Sequence, residues 1–582
     1  MPKHGVRPLR SEIRDNMRID WDIPIVMSDG VVLRADVYRP PDDAAYPALM
    51  SYGPYGKNLL LQDGYPWQWK ITLSEYADVA SGSTNKYQSW EVVDPEKWVP
   101  EGYAVIRVDS RGAGRSPGVI DCFSPRETQD FYDCIEWVAV QFWCTGKVGL
   151  NGISYYAANQ WLVAARQPPS LAAICVWEGF SDFYREAARH GGILCTFLGR
   201  WFPVQVASVQ YGVGARGRRN PLTSMSVSGD VELDEGSLKG NRADIGQELI
   251  VHPFDDGYYE ARTPDLSKVQ TPLLSCGNWG GHGLHLRGNI NGFMLAGSHQ
   301  KWLEVHGGEH WTIFYTDYGR SLQLRFFNYF LKGEGDWDRQ PRVQLQVRHP
   351  GEKFVQRAEM EWPLARTRWT KLFINPSALT LSMEPAVNAS HRSHSALGEG
   401  INVLAAPADQ DIEITGPLAC KLWISSTSAD ADIFLVVRLF DASGEEVLFI
   451  GATERSAPIA QGWLRASHRR LDLQRSTPWQ PYHPHLETEP LIPEQPYELD
   501  VEIWPTSIVV PRGYRLGLTI LGRDYDHGKT GVPSPFGFEM RGCGFHPHDE
   551  PRDRPAELFD STITVYGGGD RLSHLLVPII PR

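Results

Sequence analysis

Ser154 lies in Val148-Gly149-Leu150-Asn151-Gly152-Ile153-Ser154-Tyr155-Tyr156-Ala157-Ala158, an apolar strand-like run, a Gly-x-Ser turn and then small residues suited to a helix. A serine hydroxyl is a weak nucleophile at neutral pH, so it needs a nearby base and donors for the oxyanion. A tight strand-to-helix turn supplies part of this. It pushes the serine clear of the backbone and aims the helix N-terminus and the next N–H, that of Tyr155, at the charge formed during attack. Gly152 keeps bulk from beneath the turn, and Ala157 lets the helix approach the neighbouring strand. The second glycine of G-x-S-x-G is absent, and Tyr156 stands in its place. Taken alone, the pattern also describes a loop ending in a helix-capping serine.

The base is assigned to His310. It follows the strand-like Trp302-Leu303-Glu304-Val305 and the turn His306-Gly307-Gly308-Glu309, and it comes after the serine in the chain, the order of an α/β-hydrolase. His306 is the alternative base, and a solvated loop histidine is the plain reading of either.

Upstream of the turn, Tyr103 to Val108 reads as a short strand ending in Asp109-Ser110-Arg111-Gly112-Ala113-Gly114-Arg115-Ser116. Glu127 to Trp143 reads as a helix with Phe131, Cys134, Ile135 and Val138 on one face. Strand, turn, helix, strand, elbow and helix is the rhythm of a parallel α/β sheet, and a catalytic serine belongs at the carboxyl end of such a strand.

Several segments, in one order, resemble the CocE/NonD hydrolases, the cocaine-esterase-like and X-prolyl dipeptidyl-peptidase-like enzymes of peptidase family S15. They are DGVVLRADVYRP at 29–40, GPYGK at 53–57, DSRGAGRS at 109–116, GISYYA at 152–157, EHW at 309–311 and FLKG at 330–333. The resemblance spans nearly the whole chain and implies an α/β-hydrolase sheet with a C-terminal jelly roll. It also implies that the phenol of Tyr55 gives the second oxyanion bond beside the Tyr155 N–H, although a tyrosine packed under a turn is the plain alternative. His310 matches the family's histidine.

The acid departs from the pattern. The family places an Asp in the loop after the strand Pro272-Leu273-Leu274-Ser275, but here the loop is Gly277-Asn278-Trp279-Gly280-Gly281-His282-Gly283-Leu284-His285, with Gly281 at the acid's place. An orienting carboxylate is free in sequence position so long as its geometry is right. Glu178, at the end of the strand Ala172 to Val176, is the first choice. Asp182 is second, with a helix N-cap as its plain reading, and Glu309 is third.

The chain has 582 residues, a length that suggests two or three domains. A net charge of −13, with no dense basic run, argues against nucleic acid or an anionic membrane as partner. Eight cysteines without a C-x-x-C pair read as reduced, buried thiols of a cytoplasmic protein. The N-terminal twenty residues carry no apolar leader segment, and no run of 18 apolar residues occurs.

These patterns place the α/β-hydrolase sheet in residues 1–180 and 268–345 and an inserted helical cap in 181–267. Residues 346–582 form a jelly-roll β-sandwich, read from the alternating segments Ala419 to Ser425, Ile433 to Phe440, Tyr497 to Ile503 and Tyr514 to Ile520. Trp177, Tyr156 and Trp279, with the cap stretch Phe197 to Phe202, offer aromatic pocket walls, although aromatic cap residues also build cores. The pairs His282/His285 and His546/His548 lack a zinc signature, so they are assigned structural or solvated roles and no metal or cofactor is expected. The basic run Arg216 to Arg219 reads as solvated surface.

The chemistry expected is that of a serine hydrolase cleaving a small-molecule ester, or less readily an amide, through an acyl-enzyme. Two alternatives stand beside it: an X-prolyl dipeptidyl aminopeptidase, for which no amine anchor is evident, and a catalytically silent binding protein, suggested by the missing loop carboxylate. The oligomeric state, including a homo-oligomer, is left open.

Overall fold

A computed structural model describes residues 10–581. Residues 1–9, part of the N-terminal stretch read above for a leader, lie outside the described residues. The sheet that carries the site begins with antiparallel strands Arg10–Arg14, Met17–Val26 and Val32–Arg39. Val32–Arg39 pairs with Ala104–Asp109, and from there the order is Tyr46–Gly53, Cys144–Ile153, Leu171–Trp177, Leu273–Asn278, Lys301–His306 and Val343–His349, all parallel. The reversal that sets Ala104–Asp109 outside Tyr46–Gly53 follows from right-handed crossovers, and it brings five strand ends to one edge of the sheet. Those ends carry Gly53, Ser154, Glu178, Asn278 and His306.

Both faces are covered. On one face, Phe131, Cys134, Ile135 and Val138 of the helix Pro125–Ala139 are buried against Ile106, Val148 and Leu150, as their helical spacing predicts. That helix starts where Pro125 follows Ser124, whose hydroxyl accepts from the Glu127 N–H. On the other face, Phe326 and Phe327 of the helix Asp317–Phe327 pack with Trp98, Leu49 and Val105.

Residues between Glu178 and Leu266 fold into short helical turns, among them Phe183–Ala188, Phe197–Trp201, Glu235–Gly240 and Ile245–Val251. They gather an aromatic cluster of Tyr155, Phe180, Phe183, Tyr184, Phe197 and Trp201 over the sheet edge. Arg216 lies at the surface of this region and pairs with Glu235 at 2.7 Å.

The C-terminal part is a sheet-rich sandwich. Ile412–Ser426 pairs antiparallel with Tyr497–Val510 and with His574–Ile580, while Asp432–Phe440 sits between Ala460–Arg465 and Arg515–Leu521. Inward residues such as Leu422, Ile424, Leu435, Val501 and Leu518 form its core, and the alternating segments read in the sequence all lie in or at these strands. All eight cysteines are free, and no helix among the described residues is long and apolar enough to cross a membrane.

At the elbow, Ser154 has φ +59° and ψ −113°, between the strand Cys144–Ile153 and the helix Tyr155–Ala164. A Cβ on Gly152 would lie 2.5 Å from the Cβ of Tyr156, and one on Gly179 would lie 2.7 Å from the Cβ of Ala157, so both approaches need glycine. Tyr156 is accommodated in place of the usual glycine because Gly53 has no side chain. A Cβ there would sit 2.6 Å from the tyrosine ring. Gly53→Ala is therefore expected to destabilise the fold by about 1–3 kcal/mol through overpacking, and by less in a Tyr156→Ala background. Urea unfolding of the four variants of this cycle measures the difference, and equal costs in both backgrounds would show that the ring does not constrain Gly53.

Candidate active site

The Ser154 N–H donates to the carbonyl oxygens of Trp177 and Glu178, both at 3.1 Å, which ties the elbow to the end of the next strand. Ile153 N–H donates to the carbonyl of Glu91 at 3.0 Å. Ser154, Glu178 and Glu91 all have positive φ, +59°, +50° and +60°, so three non-glycine residues hold an uncommon backbone conformation at one place.

Glu178 turns its carboxylate to His310, with 2.7 Å between Oε2 and Nδ1. Its other oxygen lies 3.1 Å from His306 Nε2, and His306 Nδ1 lies 2.8 Å from Glu304 Oε2. Tyr318 donates to the second oxygen of Glu304 at 3.0 Å. Burial alone would raise the Glu178 pKa, but the His310 and His306 rings override it and hold the carboxyl at about 2. Burial alone would lower the His306 pKa, but Glu304 and Glu178 push it up to about 10. His306 is thus an imidazolium whose two N–H groups are both used, and it is occupied away from Ser154. Two carboxylates around one imidazolium leave one net negative charge behind His310. Glu178 takes the Nδ1 proton of His310, whose Nε2 lies on the pocket side, 3.7 Å from Glu91 Oε1.

Tyr55 follows the strand Tyr46–Gly53, and its hydroxyl accepts from Trp201 Nε1 at 3.2 Å. Burial drives its pKa well above the usual phenol value, so it remains a donor. The turn is pinned from below. Lys57 is buried with its ammonium 3.2 Å from Asp22, 3.3 Å from Asp36 and 3.6 Å from Asp109, while the Lys57 and Arg115 backbone N–H groups donate to Asp109. Lys57, Asp109 and Arg115 of the 53–57 and 109–116 segments are spent on this clamp, the Arg115 guanidinium lying 3.1 Å from Asp22, whereas Arg111 pairs with Asp130 and Asp29.

Ser154, His310, Tyr55 and Glu91 line one narrow pocket, closed by Phe197, Trp201, Trp311, Phe545 and His546. Phe197 and Trp201 are walls, as the cap stretch suggested. Trp177, Tyr156 and Trp279 are not. Trp177 is fully buried beneath His306 and Phe314, Tyr156 packs over Gly53, and Trp279 is buried with its N–H on the Gln346 carbonyl. Trp177 serves the core under the sheet, Trp279 the packing between sheet and sandwich, and Tyr156 the aromatic cluster behind Tyr55, which sequence adjacency to the site does not reveal. Asp182 is likewise placed elsewhere: it caps Phe183–Ala188 by accepting from the Arg185 N–H and pairs with the Arg185 guanidinium at 3.1 Å. Glu309 faces Arg455 at 3.2 Å and Gln68 at 3.4 Å.

The glycine loop explains the absent acid. A Cβ at Gly280 would lie 2.3 Å from Gly451 Cα, so that residue is given over to close packing against the sandwich, while one at Gly281 would lie 3.0 Å from the Asn278 carbonyl of its own loop, which is tightly wound there. That contact braces the base, because the His310 N–H donates to the Ala452 carbonyl at 2.9 Å and the Ala452 N–H to Gly280 at 3.1 Å. The same loop delivers a residue the sequence reading assigned to a structural role. His285 Nε2 lies 3.2 Å from Ser154 Oγ, and its ring stacks on His310 with centroids 5.1 Å apart. His282 is buried in the loop and His546 is buried in the pocket wall, and no group of side chains able to hold a metal ion occurs among the described residues.

Glu178→Gln is expected to cut kcat by about 10⁴-fold with the fold intact, because an amide can hold His310 in the wrong tautomer. Steady-state turnover alongside a melting curve checks it, and near-normal turnover would refute the role. The charged state of His306 gives a second outcome. Its folded pKa lies above the ordinary value, so its contribution to stability is complete below about pH 6.5 and is lost as pH rises through about 10. His306→Gln should flatten the alkaline decline of Tm over that window, and an unchanged decline would place the titrating group elsewhere.

Comparison with known proteins agrees with this architecture. Residues 29–312 match the family model of the X-Pro dipeptidyl-peptidase (S15 family), and residues 335–535 match that of the X-Pro dipeptidyl-peptidase C-terminal non-catalytic domain. A solved CocE/NonD family hydrolase from Staphylococcus aureus is 31% identical, with a TM-score of 0.83 over 97% of this chain and 94% of that one. Cocaine esterase of Rhodococcus sp. is 23% identical across 97% of this chain and 99% of its own length. An aminopeptidase from a marine sediment Thaumarchaeota archaeon, 13% identical, shares the fold over 100% of this chain and 98% of its own, with a TM-score of 0.70. The chain belongs to the CocE/NonD hydrolases of the S15 family and is a serine hydrolase.

Proposed function

We propose that the enzyme cleaves a carboxylic ester through an acyl-enzyme on Ser154. The observation that carries this reading is the convergence of Ser154, His310 and Tyr55 on one pocket, with Glu178 at 2.7 Å behind the base. The Ser154 Oγ–H proton passes to His310 Nε2 as Oγ bonds to the carbonyl carbon, and the C=O electron pair moves to the oxygen. The Tyr155 N–H, one of the first-turn amides without an intrahelical acceptor, and the Tyr55 hydroxyl hold that oxyanion. Collapse expels the alcohol with the proton from His310. Water, deprotonated by the same ring, then repeats the attack and frees the acid and Ser154.

Several features favour an ester over an amide or an X-prolyl peptide. Glu91 is the one carboxyl among the residues lining the pocket, and burial drives its pKa well above the usual range, offset only in part by the Trp311 N–H at 2.9 Å. A protonated Glu91 offers no negative charge to a free α-amine. Next to this pocket, across Trp311, Thr453 and Phe545, lies a second recess where Trp67, Ile71, Pro533 and Met540 offer apolar wall to one half of a substrate and where Glu309 is held by Arg455. The reading assigns the chemistry to 1–180 and 268–345, the cover to 181–267, and a supporting jelly roll to 346–582. Glu178 beside His310 favours catalysis over the silent scaffold that the missing loop carboxylate suggests.

A fluorophosphonate probe is expected to label the wild type and not Ser154→Ala. Turnover of p-nitrophenyl acyl esters without turnover of Gly-Pro-p-nitroanilide is the expected substrate pattern. The reverse pattern would transfer the assignment to dipeptide release, and labelling of Ser154→Ala would remove the nucleophile.

A further inference from the structure

His285 is the side chain hydrogen-bonded to the Ser154 oxygen, through Nε2 at 3.2 Å, and its other nitrogen decides which way that bond runs. The Phe180 backbone N–H donates to Nδ1 at 3.1 Å, and since a backbone N–H can only donate, Nδ1 carries no proton. Burial, together with His310 and His546 nearby, holds the ring well below the ordinary histidine range, so it stays neutral. A neutral ring with a bare Nδ1 keeps its proton on Nε2. The orientation is fixed on both faces, by Phe180 at 6.0 Å with 2° between planes and by His310 at 5.1 Å with 15°.

We propose that His285 is a further catalytic residue, a tautomer-locked neutral donor that hydrogen-bonds the Ser154 oxygen while that atom carries negative charge in attack and in release. The inference rests on Ser154 being the nucleophile. As the Oγ–H bond breaks, the proton goes to His310 Nε2 and the freed pair forms the bond to the carbonyl carbon. His285 neither gains nor loses a proton, and its N–H offsets the charge on Oγ. In deacylation the C–Oγ bond breaks, the pair returns to Oγ beside the same donor, and Oγ takes its proton back from His310. His285 cannot itself be the base, because accepting at Nε2 would require an imidazolate or loss of the Phe180 bond. Its neutrality also matters to its neighbour, since a second cation stacked on His310 would oppose protonation of that ring. The loop that carries a carboxylate in relatives thus contributes a donor here.

His285→Phe keeps the stacking and removes the N–H, while His285→Gln keeps a donor. Loss of the donor is expected to slow both fluorophosphonate labelling and ester kcat/KM by about 100-fold, and the Gln variant should recover to within about tenfold of wild type. The acid-limb midpoint of the pH profile of kcat/KM should not move in either variant, because His285 does not titrate there. Neutron diffraction from the wild-type enzyme, which needs no variant to fold, should place a deuteron on Nε2 and none on Nδ1. Wild-type or faster labelling of His285→Phe, a deuteron on Nδ1, or a displaced acid limb would each overturn the proposal. Activity surviving in Ser154→Ala would instead defeat the underlying assignment, whatever the His285 variants do.

Discussion

A carboxylate with no exposure to water is stable as an anion only where its neighbours replace the water, and Glu178 is held by two imidazoles and the Asn278 amide. The chain of His310, Glu178, His306, Glu304 and Tyr318 runs from the pocket into the interior along the ends of three adjacent parallel strands. Each member is satisfied by the next, so removing one leaves a buried charge without its counter-charge. The carboxylate beside His310 therefore comes from the end of the strand next to the one that carries Ser154, and the loop after Leu273–Asn278 supplies none.

What that loop does instead is mechanical. Gly280 meets Gly451 at a distance no side chain allows, and the resulting hydrogen bonds run from the sandwich through Ala452 to the backbone of His310. The C-terminal sandwich thereby holds the backbone of His310 and, through Phe545 and His546, closes the pocket. The conformational cost is concentrated in the same place, where Ser154, Glu178 and Glu91 hold left-handed backbone angles that the hydrogen bonds of the elbow stabilise.

Aromatic residues separate into two populations that the sequence does not distinguish. Trp177 adjoins Glu178 and Trp279 adjoins Asn278 in the chain, and both are buried beneath the sheet edge, whereas Phe197, Trp201 and Phe545 come from distant segments and line the pocket with Ser154. Alternation along a strand sends neighbouring side chains to opposite faces, so proximity in sequence to Ser154 or Glu178 says little about proximity to the pocket.

Local rules were enough for the elements. Small residues at 152, 157 and 179 mark the close approaches around Ser154, helical spacing marks the face of Pro125–Ala139, and alternation marks the sandwich strands, because each of these is written within a few residues. Candidates for the chemistry, Ser154 at a strand-to-helix turn and Glu178 at the end of the next strand, are suggested by the same local patterns, and His310 also by the family resemblance. Tertiary structure alone decided that His306 is clamped between two carboxylates, that Asp182 faces Arg185, and that His285 stands against the serine. Those outcomes depend on which strand ends and loops the sheet order brings together, and on the water that burial removes. Neither distance nor desolvation is encoded at any single position of the chain.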